Sequence, residues 1–100
     1  MGNADYKLGL ELLKRFKEYL ERMARASEEE LKELIETVKE PIRNAAYRIK
    51  QGEGPLKEEL LEPLSVMVRE FREMANLEEV KKAAQKLLEV LKKVEEKEGG

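Results

Sequence analysis

The sequence predicts an all-α protein, a single-domain antiparallel four-helix bundle with up-down-up-down topology. The composition is rich in Glu, Lys, Leu, Arg and Ala and includes only three Tyr and two Phe, which is typical of helical chains. Apolar residues recur every three or four positions, and three short breaks divide the chain into segments of similar length. We therefore expect helices at about 4–25, 28–51, 55–75 and 77–97 within one domain, 1–100.

The first predicted helix has a broad apolar arc. The centre of the arc holds Tyr6, Gly9, Leu13, Phe16, Leu20 and Met23, and one flank holds Leu8, Leu12 and Tyr19. Such an arc can pack inside the bundle or against a second copy, so the oligomeric state stays open.

The second predicted helix begins with a capping box. The Ser27 side chain can accept a hydrogen bond from a first-turn amide, and the Glu30 carboxylate, three residues later, can reach back to the Ser27 amide. The apolar stripe that follows continues straight through Pro41, and its members are Leu31, Leu34, Ile35, Val38, Ile42, Ala45 and Ile49.

The third predicted helix follows the segment Gln51-Gly52-Glu53-Gly54-Pro55. Here Gly52 suits a left-handed helix terminus and Pro55 suits the first position of the next helix. The stripe of this helix contains Leu60, Leu64, Met67, Val68, Phe71 and Met74.

The fourth predicted helix begins with a second capping box, formed by Asn76 and Glu79. Its apolar stripe contains Val80, Ala83, Ala84, Leu87, Leu91 and Val94. The alternative architecture is a three-helix bundle on which this last helix docks loosely.

Pro41 and Pro63 lie inside predicted helices, so we expect proline kinks in the second and third helices, at similar heights in an antiparallel pair. Small residues, among them Gly9 and Ala45, lie near that height. The bends and small residues favour close helix packing, or a hinge, or an apolar cavity. In the last of these alternatives the cavity is lined by Tyr6, Gly9, Leu13, Ala45, Ile49, Leu56, Leu60, Leu91 and Val94.

The charge pattern changes sign along the second predicted helix. Residues 28–40 have a net charge of −4, residues 41–52 of +3 and residues 53–63 of −3. Helix dipoles explain most of this pattern. They do not explain Tyr47, which lies opposite the apolar stripe among polar and basic neighbours, in a composition typical of binding hot spots. The candidate partner-binding residues are Arg43, Asn44, Tyr47 and Arg48.

The composition argues against most catalytic and metal chemistry. The chain has no Cys and no His, and its Glu residues fall mainly on outward positions, so we expect no catalytic residue, no cofactor and no metal site. A net charge of −2 disfavours nucleic-acid binding. The apolar runs are too short to span a bilayer, and no signal peptide is evident. We expect a soluble protein, cytoplasmic when expressed, with its localisation otherwise unknown.

Two resemblances are visible. The clear caps, matched helix lengths, Glu/Lys surface and final Gly99-Gly100 resemble a computationally designed (de novo) helical bundle. The 22-residue spacing of Pro41 and Pro63 resembles the repeats of exchangeable apolipoproteins, a resemblance that implies a bundle able to open on lipid.

The preferred functional hypothesis is a non-enzymatic protein-binding module that uses the outer face of the second predicted helix. One alternative is a carrier for an apolar small molecule or lipid, bound in the cavity near the kinks. Another is a scaffold without biological function.

Overall fold

The structure, a computed structural model, describes residues 2–99, and every regular element in that range is an α-helix. The all-α class is confirmed. The predicted four-helix bundle is wrong, because the described residues form five helices. They are α1 (Gly2–Arg15), α2 (Lys17–Arg25), α3 (Glu28–Gln51), α4 (Lys57–Glu73) and α5 (Leu77–Gly99).

The fifth helix arises because the first predicted helix is interrupted at Phe16. Its φ of −100° and ψ of 17° lie in the bridge region, outside helical geometry. The Phe16 amide still donates to Leu12 at 3.2 Å, and the Leu20 amide donates to Phe16 at 3.0 Å. On either side, α1 packs mainly on α3 and α2 packs mainly on α5. Tertiary packing therefore sets a break that no proline or glycine marks in the sequence.

Neither internal proline divides its helix. Pro41 lies inside the 24 residues of α3, and Pro63 lies inside the 17 residues of α4. The interruption that adds a fifth helix falls at Phe16 and not at a proline. Val38 and Ile42, which flank Pro41, are both buried in the same core. Their shared burial holds the two halves of α3 in one helix.

The cap side chains predicted for α3 and α5 accept hydrogen bonds as expected, which confirms one of the two bonds of each capping box. Ser27 Oγ accepts a hydrogen bond from the Glu30 amide at 3.2 Å. Asn76 Oδ1 accepts one from the Glu79 amide at 3.4 Å. The Glu30 carboxylate lies 4.0 Å from the Arg22 guanidinium, so it also links the start of α3 to α2.

The α3–α4 connection differs from the prediction. Gly52 is extended, with φ −99° and ψ −173°, and its amide bonds to carbonyls of the last turn of α3. The left-handed residue is Leu56, with φ 57°, and α4 begins at Lys57, so Pro55 precedes the helix. A Cβ at Gly54 would overlap the ring of Tyr6. Packing of Tyr6 from α1 shapes this connection, which local turn preferences could not reveal.

All five helices contribute to one apolar core. The radius of gyration is 12.7 Å, close to the value of about 13 Å expected for a 100-residue globular domain. The last helix is fully docked and does not lie loosely on the others. Its buried residues are Val80, Ala83, Ala84, Leu87, Val90, Leu91 and Val94.

Candidate functional site

A groove of about 610 Å³ runs along the surface between the C-terminal half of α3 and α4. The two helices are joined by a short connection and run antiparallel, so the last turns of α3 lie beside the first turns of α4. The residues that line the groove are Arg43, Ala46, Tyr47, Lys50, Glu58, Leu61, Glu62, Ser65, Val68, Arg69 and Arg72.

The groove has an apolar floor and an aromatic rim. Ala46, Leu61 and Val68 are half-buried and supply carbon surface between the two helices. Tyr47 stands beside them with 63% of its surface exposed, more than Leu8 at 52% or Met74 at 37%. The most exposed large apolar side chain described therefore lies at the groove.

The structure brings together two of the four predicted partner-binding residues. Arg43 and Tyr47 are four residues apart, share one face of α3 and both line the groove. Asn44 is exposed but is not among the lining residues. Arg48 faces α1, where its Nη1 lies 3.5 Å from Oδ1 of Asp5. The predicted binding face of α3 therefore does not form one surface: Arg43 and Tyr47 line the groove, whereas Arg48 contacts α1.

Four cations and two carboxylates line the groove, whereas the whole chain has a net charge of −2. Besides Arg43 and Lys50, the cations are Arg69 and Arg72 of α4, which sequence reasoning did not single out. The carboxylates are Glu58 and Glu62. Only the pairing of α3 with α4 places Arg69 and Arg72 in the same groove as Tyr47, so α3 alone could not reveal them.

Glu70 is the one buried charged residue among those described, with 4% exposure. One carboxylate oxygen accepts hydrogen bonds from the amides of Asn76, at 2.7 Å, and Ala75, at 3.1 Å. The other lies 3.3 Å from Nε of Arg69. The Asn76 amide first, and then the Arg69 guanidinium, hold the pKa of this carboxyl below its ordinary value despite burial.

Glu70 was not among the residues predicted from the sequence, although one signal was present. An acid in the last turns of a helix opposes the helix dipole, and this one lies on the apolar stripe between Met67 and Met74. One oxygen of Glu70 accepts the amides of Ala75 and Asn76 and so closes the α4–α5 connection. The other oxygen restrains the Nε side of the Arg69 guanidinium. The Arg69 guanidinium retains further N–H donors on its two terminal nitrogens.

The residues predicted to line an internal cavity lie in the core. All are buried except Leu56, which is half-buried. A Cβ at Gly9 would lie 2.7 Å from Cγ1 of Ile49 and 2.9 Å from the carbonyl oxygen of Ala45. The backbones of α1 and α3 therefore approach closely at Gly9, with no room there for one further methyl group.

Tyr6 uses its hydroxyl within the fold. The hydroxyl donates to the carbonyl of Pro55 at 2.5 Å, and the ring is 3% exposed. Burial, with a smaller contribution from Glu98, raises the pKa of Tyr6 above its ordinary value. Tyr6 thus ties α1 to the α3–α4 connection.

Among residues 2–99, no group of three or more carboxylates is placed to hold a metal ion. No helix in the same range is long and apolar enough to cross a membrane. In comparisons with known proteins, no protein family, curated protein sequence or solved structure matches the chain.

Proposed function

We propose that the protein is a non-enzymatic binding module that takes up a helical segment of a protein partner in the groove between α3 and α4. The observation that carries this proposal is the position of Tyr47, 63% exposed beside the half-buried floor of the groove. An exposed tyrosine next to an apolar floor and arginines has the composition of an interface hot spot.

The shape of the groove favours a helix as the bound segment. The α4 wall extends over residues 58–72, which at 1.5 Å per residue corresponds to about 21 Å, or roughly four helical turns. The α3 wall, residues 43–50, is about half as long. The described elements are all helices, so they offer no strand edge to which an extended peptide could add. A third helix laid between two packed helices buries one apolar stripe.

The surface groove is preferred over the interior as the binding site. An apolar ligand in the core would need space near Gly9, where the α1 backbone already meets Ile49 and Ala45. The side-chain caps of α3 and α5 and the Glu/Lys surface also support the proposal that the chain is a designed bundle.

The test is a selection of helical peptides from a displayed library on the intact protein, followed by affinity measurements on variants. Tyr47→Ala should weaken the selected peptides at least about tenfold, since central aromatic contacts dominate interface energies. It should change the free energy of unfolding by no more than about 0.5 kcal/mol, because the side chain is exposed.

Leu8→Ala is the matched control, since Leu8 is also exposed and lies on α1, outside the groove. It should leave peptide affinity unchanged. The proposed site would be contradicted if the selected peptides bound the Leu8→Ala protein more weakly than wild type but bound the Tyr47→Ala protein with unchanged affinity. A library without any specific binder would support the scaffold hypothesis instead.

A further inference from the structure

We infer that the partner helix is acidic, with its carboxylates clustered at the end of the groove formed by Arg43, Arg69 and Arg72. This inference rests on the proposed function and adds the chemistry of the partner. Arg43 is the α3 lining residue farthest along the chain from the α3–α4 connection, and Arg69 and Arg72 are the farthest from α4. These three arginines therefore line the part of the groove remote from that connection.

Arg69 is held ready to bind a carboxylate. Its Nε lies 3.3 Å from the buried Glu70, whose other oxygen is fixed by two backbone amides of the α4–α5 connection. A guanidinium restrained at Nε still has donors on both terminal nitrogens, which match the two oxygens of a carboxylate. Glu70 therefore acts as a positioning residue for Arg69.

Arg43 can exchange its present partner at little cost. It forms an ion pair with Glu40 at 2.8 Å, one turn away on the same helix, and both side chains are exposed. Exposed pairs of this kind contribute little to stability. For Arg72, no ion pair is found within 4.0 Å among the described residues, so the cluster has an excess of positive charge.

A second copy of the chain fits this site less well. The acidic face of α3, formed by Glu29, Glu33, Glu36 and Glu40, could meet the arginines, but it offers no apolar residue to cover the floor at Leu61 and Val68. The acidic partner must combine an apolar stripe with carboxylates near one end. The structure thus favours a heterologous amphipathic helix.

The experiment uses three synthetic helical peptides of roughly four turns with one leucine stripe in common. They differ at three positions near one end, where they have glutamate, glutamine or lysine. Binding to the full chain is measured by calorimetry at low and high salt. The glutamate peptide should bind about tenfold more tightly than the glutamine peptide at low salt, and the ratio should shrink as salt screens the charges.

A charge-reversed protein, Arg69→Glu with Arg72→Glu, should prefer the lysine peptide. Glu70→Gln should narrow the ratio between the glutamate and glutamine peptides without removing binding of the glutamine peptide, which depends on the apolar floor. Glu89→Gln, which removes an exposed acid on α5 outside the groove, is the control and should leave the ratio unchanged.

The outcomes separate this inference from the proposed function. Equal binding of all three peptides, or preference for lysine, would overturn the acidic-partner inference while leaving helix binding intact. Failure of all three peptides would overturn both. If the protein self-associates and Tyr47→Ala abolishes that self-association, the groove binds a second copy of the chain. This result would also overturn the inference.

Discussion

Nε of Arg69 lies 3.3 Å from Oε2 of Glu70, a buried carboxylate at the end of α4. This contact joins the part of the molecule that stabilises the fold to the part that presents charge to solvent. The other carboxylate oxygen, Oε1, fixes the α4–α5 connection by accepting hydrogen bonds from the amides of Ala75 and Asn76. The same carboxylate orients a guanidinium that lines the surface groove.

The lowered pKa of Glu70 predicts a specific pH dependence of stability. The ordinary value is 4.5, and a carboxyl whose folded pKa is lower contributes stability above that value, which is lost as pH falls through the folded pKa. Glu70→Gln should lower the Tm at neutral pH, and the difference from wild type should narrow below about pH 4.5. Thermal unfolding of both proteins between neutral and strongly acidic pH measures this. A difference that stays constant with pH would show that the charge of Glu70 does not matter.

Gly9→Ala should destabilise the protein by about 1–3 kcal/mol, the cost typical of overpacking. The added methyl group would lie 2.7 Å from Ile49 and 2.9 Å from the Ala45 carbonyl, and a backbone atom cannot rotate away. Chemical denaturation gives the value. In a double-mutant cycle with Ile49→Ala, the losses of unfolding free energy in the two single variants should sum to more than the loss in the double variant, because residues 9 and 49 share one contact. Strict additivity, or stabilisation by alanine, would contradict the close approach.

Tyr6→Phe should cost about 1 kcal/mol, because it removes the hydrogen bond to Pro55 and leaves a carbonyl unpaired. Tyr47→Phe is the matched control for loss of a hydroxyl and should change stability by less than about 0.5 kcal/mol. The raised pKa of Tyr6 adds a second expectation. Its stabilising contribution is complete below pH 10.0 and is lost as pH rises through the folded pKa, so wild type should lose its advantage over Tyr6→Phe at high pH.

Position 74 should accept glycine with less loss of stability than alanine. It ends α4 in the left-handed region, with φ 52° and ψ 32°, where a Cβ is unfavourable. Met74→Gly should therefore be more stable than Met74→Ala by about 1 kcal/mol. Denaturant unfolding of the two variants provides the comparison, in which both have lost the same side-chain contacts. If alanine were equal or better, the left-handed terminus would not form in solution.

The sequence was most informative where a local signal coincided with the final packing. Ser27 and Asn76 cap their helices as predicted, and the apolar stripe of α3 is buried along its whole length, through Pro41. Local signals failed where a distant element decides the geometry. Phe16 breaks the first helix because α1 and α2 pack on different neighbours, and Tyr6 shapes the connection that contains Pro55.

The candidate site was predictable only on its α3 side. Arg43 and Tyr47 follow from their spacing on α3 and from the change of charge along the chain. Arg48 faces away from the groove because Asp5 of α1 lies 3.5 Å from it, a contact between residues 43 positions apart. Arg69 and Arg72 required the pairing of α3 with α4.

The most direct test of the proposed binding site is an NMR titration of isotopically labelled protein with the acidic helical peptide. We predict that the largest amide shift changes fall on residues 43–50 of α3 and 58–72 of α4 and disappear with Tyr47→Ala. Changes concentrated on α1 around Leu8, or in the core around Ile49, would contradict it.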